Sequence, residues 1–181
     1  GTETFDSFDP VNRQPLSQTR LGSESDADAA VQAAQAAQVR YAATSREERL
    51  ALLQRIGESF KQHMPALIDA VQQSLGAPRM LCERLQVPAG LMQVQAWSKL
   101  LSEFAFEETR NGNLLVQQPL GVSLCITSWN WPLNGPMGVL LPSLAAGCAT
   151  VWKPSEHASA SATILAQVMH DAGVPAGVFN M

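Results

Sequence analysis

Residues 119–181 alternate strand and helix signals in an order that admits few folds. Gly121 to Thr127 is an apolar, β-branched run that predicts a buried strand. Asn134 to Gly147 is almost wholly apolar, holds Pro136 and Pro142, and predicts a buried, irregular helix. Ala149 to Trp152 predicts a second short strand, stopped by Lys153-Pro154. Ala158 to Ala172 predicts a helix with Ala162, Leu165, Val168, Met169 and Ala172 on one face; Gly173 and Pro175 follow in the usual stop order. Val178 to Met181 opens a third strand. A β-α-β-α-β order with right-handed crossovers makes a parallel sheet. That is one mononucleotide-binding half of a doubly wound α/β fold. A sheet stopping at its third strand leaves an apolar edge uncovered, which suggests an incomplete molecule.

The preceding residues read as a hairpin followed by helices. Phe5 and Phe8 alternate with polar neighbours, Asp9-Pro10-Val11-Asn12 signals a turn, and Leu16 to Leu21 returns as a second strand. Ser25-x-x-Asp28 has capping-box spacing ahead of the alanine-rich helix Ala29 to Ala43. Ser45 with Glu48 starts the next helix, whose buried stripe is Leu50, Leu53, Ile56 and Phe60. Pro65 fits the first turn of a new helix, closed by Gly76. Pro78 opens another, which Pro88 kinks or splits, with Leu91, Val94, Trp97, Leu101 and Phe104 on its apolar face. Asn111-Gly112-Asn113 is a tight-turn signal, because Asn and Gly tolerate positive φ. Its flanks predict a β-hairpin arm that pairs elsewhere.

Charge and cysteine content exclude several classes. The 181 residues carry 16 acidic and 12 basic side chains, a net −4, with the arginines scattered. A nucleic-acid binder needs a basic patch, and none is visible. No apolar run is long enough for a membrane span. Cys82, Cys125 and Cys148 are odd in number and form no CxxC or Cys/His pattern, so neither a disulfide framework nor a metal site is expected. Buried free thiols in a reducing compartment, the cytoplasm, fit best.

Two segments follow predicted strands, where open α/β sheets bind ligands. After the second strand, Lys153 and Glu156 flank a proline turn. An ammonium that donates and a carboxylate that accepts can grip a ribose diol; a salt-bridged pair on the sheet rim is the other reading. After the first strand, Asn130 stands on a loop from which its amide can donate to a developing oxyanion. The alternative is an asparagine bonded to its own turn.

Together these segments are recognisable. Pro119-Leu120-Gly121-Val122, Thr127-Ser128-Trp129-Asn130-Trp131-Pro132, Pro142-Ser143-Leu144-Ala145-Ala146-Gly147, Lys153-Pro154-Ser155-Glu156 and Ala172-Gly173-Val174-Pro175-Ala176-Gly177-Val178 form five ordered blocks. The stretch resembles the aldehyde dehydrogenase superfamily, and the helical half is compatible with it. The family usually has proline where Ser128 stands and phenylalanine where Trp131 stands.

The resemblance implies roles by position. Asn130 matches the asparagine of the oxyanion hole. Lys153 and Glu156 match the pair on the adenosine ribose of NAD or NADP, with Ser155 between them. Thr127, Ser128 and Trp129 match the loop lining the cofactor crevice. Met137 and Leu141 are expected to contribute to an aldehyde tunnel. The hairpin around Gly112 matches an arm that joins subunits into a homo-oligomer. The implied division is 1–107 (hairpin and helices of the cofactor domain), 108–118 (arm) and 119–181 (first half of a Rossmann-like dinucleotide-binding sheet), with the catalytic domain absent. The implied activity is NAD(P)-dependent oxidation of an aldehyde to a carboxylate through a thioester on a cysteine outside this chain. The chain alone is then expected to be inactive, and none of its own cysteines is the nucleophile. Two other readings stay open. One is a native truncated relative that acts as a nucleotide-binding or interaction module. The other is an acylating enzyme that makes acyl-CoA.

Overall fold

The structure, a computed structural model, describes all of Gly1–Met181. Strands β1 (Thr4–Phe8) and β2 (Pro15–Arg20) form the expected antiparallel hairpin. Helix α1 (Glu24–Ala42) is capped by Ser23, two residues before the predicted cap Ser25. Ser23 Oγ accepts from the Asp26 N–H at 3.3 Å, and the Asp26 carboxylate accepts from the Ser23 N–H at 2.8 Å. Both serines have the right spacing. The structure closes the box on the first, with the Ser23 hydroxyl 2.7 Å from the Asp26 carboxylate.

Helix α2 (Arg46–Leu75) is capped by Ser45 and Glu48 as expected and closed by left-handed Gly76. It runs unbroken through Pro65, so no new helix starts there. An interior proline costs about 3 kcal/mol. The buried stripe Leu53, Ile56, Phe60, Leu67 and Val71 continues across it and offsets that cost, while Pro65 itself is exposed. Helix α3 (Arg79–Leu81) passes through a π-helical stretch, Cys82–Gln86, into α4 (Val87–Glu103). The α-helical run is thus interrupted just before Pro88, as expected, by a π-helical turn. Pro88 lacks an N–H and crowds the carbonyl one turn back, and a widened turn absorbs both. Phe104 caps α4 and is exposed; Phe106, two residues on, packs against the core instead.

Strands β3 (Glu107–Arg110) and β4 (Asn113–Val116) pair around Asn111 and Gly112, both at positive φ. All eight strand residues are exposed. Strand β5 (Ser123–Ile126), helix α5 (Asn134–Ala145), strand β6 (Thr150–Lys153), helix α6 (Ser159–Asp171) and strand β7 (Phe179–Asn180) then build a parallel sheet of order β5-β6-β7. Helix α5 is regular through Pro142 rather than irregular. Strand β5 is buried on one face only: Cys125 is covered, whereas Leu124 and Ile126 are 66% and 69% exposed. It is the outermost strand, and no helix covers that face beside it.

One core joins both halves of the chain, running from Tyr41, Phe60 and Val94 to Trp152, Leu165 and Val178. Side chains of α1 and α2 also hold the turn that feeds β6. Gln38 brackets it, donating to Gly147 O at 3.0 Å and accepting from the Ala149 N–H at 2.5 Å. Gly147 sits at φ +85°, and a Cβ there would meet Arg49 Cζ at 2.8 Å. Hydrogen bonds pin that guanidinium, so it cannot yield. Gly147→Ala should therefore lower unfolding stability by about 2–4 kcal/mol, combining left-handed strain with overpacking. The midpoint of denaturant unfolding measures it, and an unchanged midpoint would refute the close contact.

Candidate functional site

Strands β5 and β6 end side by side. Ile126 pairs with Lys153, and the Thr127 N–H donates to Lys153 O at 3.3 Å. The loop after β5 and the turn after β6 therefore rise from one edge of the sheet, and all seven predicted site residues stand on them. Thr127 anchors the first loop, its Oγ1 accepting from Nε1 of the buried Trp152 at 3.0 Å. Ser128, Trp129 and Asn130 follow and are exposed. Ser128 Oγ donates to Asn130 Oδ1 at 2.6 Å, and the Asn130 Nδ2 hydrogens bond to nothing in the chain.

On the second turn Lys153 Nζ donates to Glu156 Oε2 at 3.0 Å. The Glu156 carboxyl is held below its ordinary value, first by its own backbone N–H and then by the Lys153 ammonium. It is therefore ionised throughout the neutral range. Ser155 is buried, and its Oγ accepts from the His157 N–H at 3.3 Å, capping the short 3₁₀ turn Glu156–Ala158. Its hydroxyl shapes the turn that presents Glu156. A contact the sequence hides lies behind this turn. The ring of Phe5 meets His157 edge to face at 5.0 Å, packing the N-terminal hairpin against the site. No local pattern pairs residues so far apart.

Met137 and Leu141 are fully buried in the core, which corrects their expected place in a tunnel. Both sit on the inner side of α5. The first residue of α5, Asn134, accepts from Gln93 Nε2 of α4 at 2.8 Å through its Oδ1. Cys82, Cys125 and Cys148 are buried free thiols, and burial pushes the first two up in pKa, away from nucleophilic character. No group of three or more His, Cys, Asp or Glu side chains converges as a metal site would require. No helix is long and apolar enough to cross a membrane. A cavity of about 370 Å³ lies elsewhere, between the hairpin turn at Asp9 and the end of α2. Its one cation, Arg79, is already bonded to Asp69 and Glu83.

The sequence profile of the aldehyde dehydrogenase family matches residues 1–181. The chain is 37% identical to 3-succinoylsemialdehyde-pyridine dehydrogenase of a Pseudomonas species, over 100% of its own length and 38% of that protein's. Among solved structures, an aldehyde dehydrogenase from Bartonella henselae superposes with a TM-score of 0.96 at 33% identity, covering 99% of this chain and 38% of that one. Aldehyde dehydrogenase C from Pseudomonas syringae, a cysteine-to-alanine variant in complex with NAD+ and octanal, also superposes at 0.96. Its identity is 35%, and the match covers 99% of this chain and 37% of that one. The chain thus spans little more than a third of the length of these relatives. A match that runs from its first residue to its last, in sequence and in fold, means that the chain belongs to the aldehyde dehydrogenase family.

Proposed function

We propose that the chain is the N-terminal part of an NAD(P)-dependent aldehyde dehydrogenase. The whole enzyme oxidises an aldehyde to a carboxylate through a thioester on a cysteine outside these residues. The observation that carries this reading is the juxtaposition of an outward amide, Asn130, with a donor–acceptor pair, Lys153 and Glu156, at adjoining strand ends. The pair fits a ribose diol. Lys153 uses one of its three N–H donors on Glu156, and Glu156 Oε1 is left to accept a hydroxyl. Bound there, the dinucleotide supplies the hydride acceptor. Thr127, Ser128 and Trp129 line its crevice, and Ser155 holds the Glu156 turn in shape. Asn130 donates to the oxygen on which charge builds when the thiolate adds to the aldehyde carbonyl.

In this reading residues 1–107 and 119–181 form the cofactor domain, and 108–118 form an arm. Leu114, Leu115 and Val116 lie exposed on that arm and suit pairing with another subunit of a homo-oligomer. Three buried free thiols suit a reducing cytoplasm. Leu124 and Ile126, exposed on β5, favour a second reading: an inactive module that docks on a full-length relative.

The test uses the polypeptide at its natural length, sized by intact mass. With NAD+ and a panel of aldehydes it should form NADH. Failure with every aldehyde, or a natural mass of 19.5 kDa, would favour the module. Within the active enzyme, Glu156→Gln should raise KM for NAD+ about ten-fold, the effect of losing a charge-assisted hydrogen bond. KM for NADP+ should rise less, because the carboxylate no longer repels a 2′-phosphate. The sign with pH follows from the lowered pKa. The grip is complete at and above the ordinary carboxylate value and fails only as pH falls through the lowered one, so KM should stay flat through neutrality. Equal KM changes for both cofactors would remove Glu156 from the ribose site.

A further inference from the structure

An asparagine amide has two ends, and only one helps an oxyanion. Turned by half a rotation, Asn130 would present Oδ1 and repel the charge that its Nδ2 hydrogens stabilise. The side chain is exposed, so packing does not decide between the two orientations. One contact holds the amide as it stands: the Ser128 hydroxyl donates to Oδ1 at 2.6 Å. Engaging Oδ1 turns both Nδ2 hydrogens outward. The hydroxyl is itself presented from a firm base: the preceding residue, Thr127, is tied to the buried Trp152 indole at 3.0 Å and to the Lys153 carbonyl at 3.3 Å.

We infer that Ser128 is a positioning residue that orients the Asn130 amide, resting on the reading of Asn130 as an oxyanion donor. Beside its place in the cofactor crevice, it acts on turnover through Asn130. Without the hydroxyl, the amide samples the wrong face as well as the right one, and the turn loses a short hydrogen bond. Threonine keeps the hydroxyl and should keep the orientation; alanine should not.

The experiment is a double-mutant cycle in the full-length enzyme, with kcat and both KM values measured for wild type, Ser128→Ala, Ser128→Thr, Asn130→Ala and the Ser128→Ala/Asn130→Ala pair. Ser128→Ala should lower kcat about three- to ten-fold, in line with one hydrogen bond, and leave KM for aldehyde unchanged. Ser128→Thr should restore kcat. In the Asn130→Ala background Ser128→Ala should have no further effect, since the group it positions is gone. An unchanged kcat for Ser128→Ala would overturn the inference while leaving Asn130 its role. So would an equal loss in both backgrounds. A rise in KM for NAD+ alone would leave Ser128 only its place in the cofactor crevice and overturn it likewise. Full activity in Asn130→Ala would refute the oxyanion reading itself, and the inference with it.

Discussion

Arg49→Met should destabilise the fold by about 3–5 kcal/mol, the upper end for a single substitution. Arg49 lies near the start of α2 and is 7% exposed, yet no carboxylate is bonded to it. Its partners are backbone oxygens at helix ends. It donates to Ala42 O at 3.2 Å and Thr44 O at 2.7 Å beyond α1, to Ala145 O at 3.2 Å at the end of α5, and to Thr44 Oγ1 at 3.0 Å. The last carbonyls of a helix have no partner within it, and they carry the negative end of its dipole. One guanidinium therefore satisfies two helix ends and offsets the desolvation of its own charge. The Phe106 ring, 5.5 Å from Cζ, completes the enclosure. Methionine keeps the aliphatic bulk and leaves the carbonyls buried and unpaired. Lysine keeps the charge, but its single nitrogen cannot span acceptors on two helices, and about half the loss should remain. Denaturant midpoints at constant m-value measure both, with Arg84→Met, an exposed arginine, as the control expected within about 0.5 kcal/mol. A loss under 1 kcal/mol for Arg49→Met would mean that water takes over the carbonyls.

The features legible in the sequence are those set by short-range physics. The parallel sheet follows from apolar runs of strand length separated by helical runs with stop signals, and β5, β6 and β7 appear where those runs stand. The arm follows from Asn111-Gly112, whose positive φ few other residues accept. Features that depend on a distant partner were not legible. Ser23 rather than Ser25 caps α1, although both have the same local spacing to an acid. Pro65 stays inside α2 because the core buries the turns on both sides of it. Leu124 and Ile126 are open because no helix of the chain packs on that face beside β5, a matter of tertiary placement rather than composition. The candidate site divides in the same way. Its residues could be named from two strand-end segments and the family blocks. The Trp152–Thr127 anchor, the Phe5–His157 contact and the Ser128–Asn130 bond are matters of side-chain geometry that spacing does not encode.

Asn130→Ala in the full-length enzyme should lower kcat by about 10²- to 10³-fold, the loss that follows removal of one oxyanion donor. KM for aldehyde should change little, because the donor is strongly engaged only when the carbonyl oxygen becomes an oxyanion. Stability should be unaffected, since the side chain is exposed and bonded only to Ser128. An unchanged melting temperature would thus separate a chemical from a structural loss. Asn130→Asp sharpens the test. Aspartate has the same shape but sets a negative charge where negative charge must build, so it should be at least as damaging as alanine. If the asparagine served only to close its own loop, aspartate would be the mild substitution, because a carboxylate accepts from the Ser128 hydroxyl as well as the amide oxygen does. The order of the two variants therefore decides between a donor aimed at the reacting carbonyl and a residue that merely shapes the loop after β5.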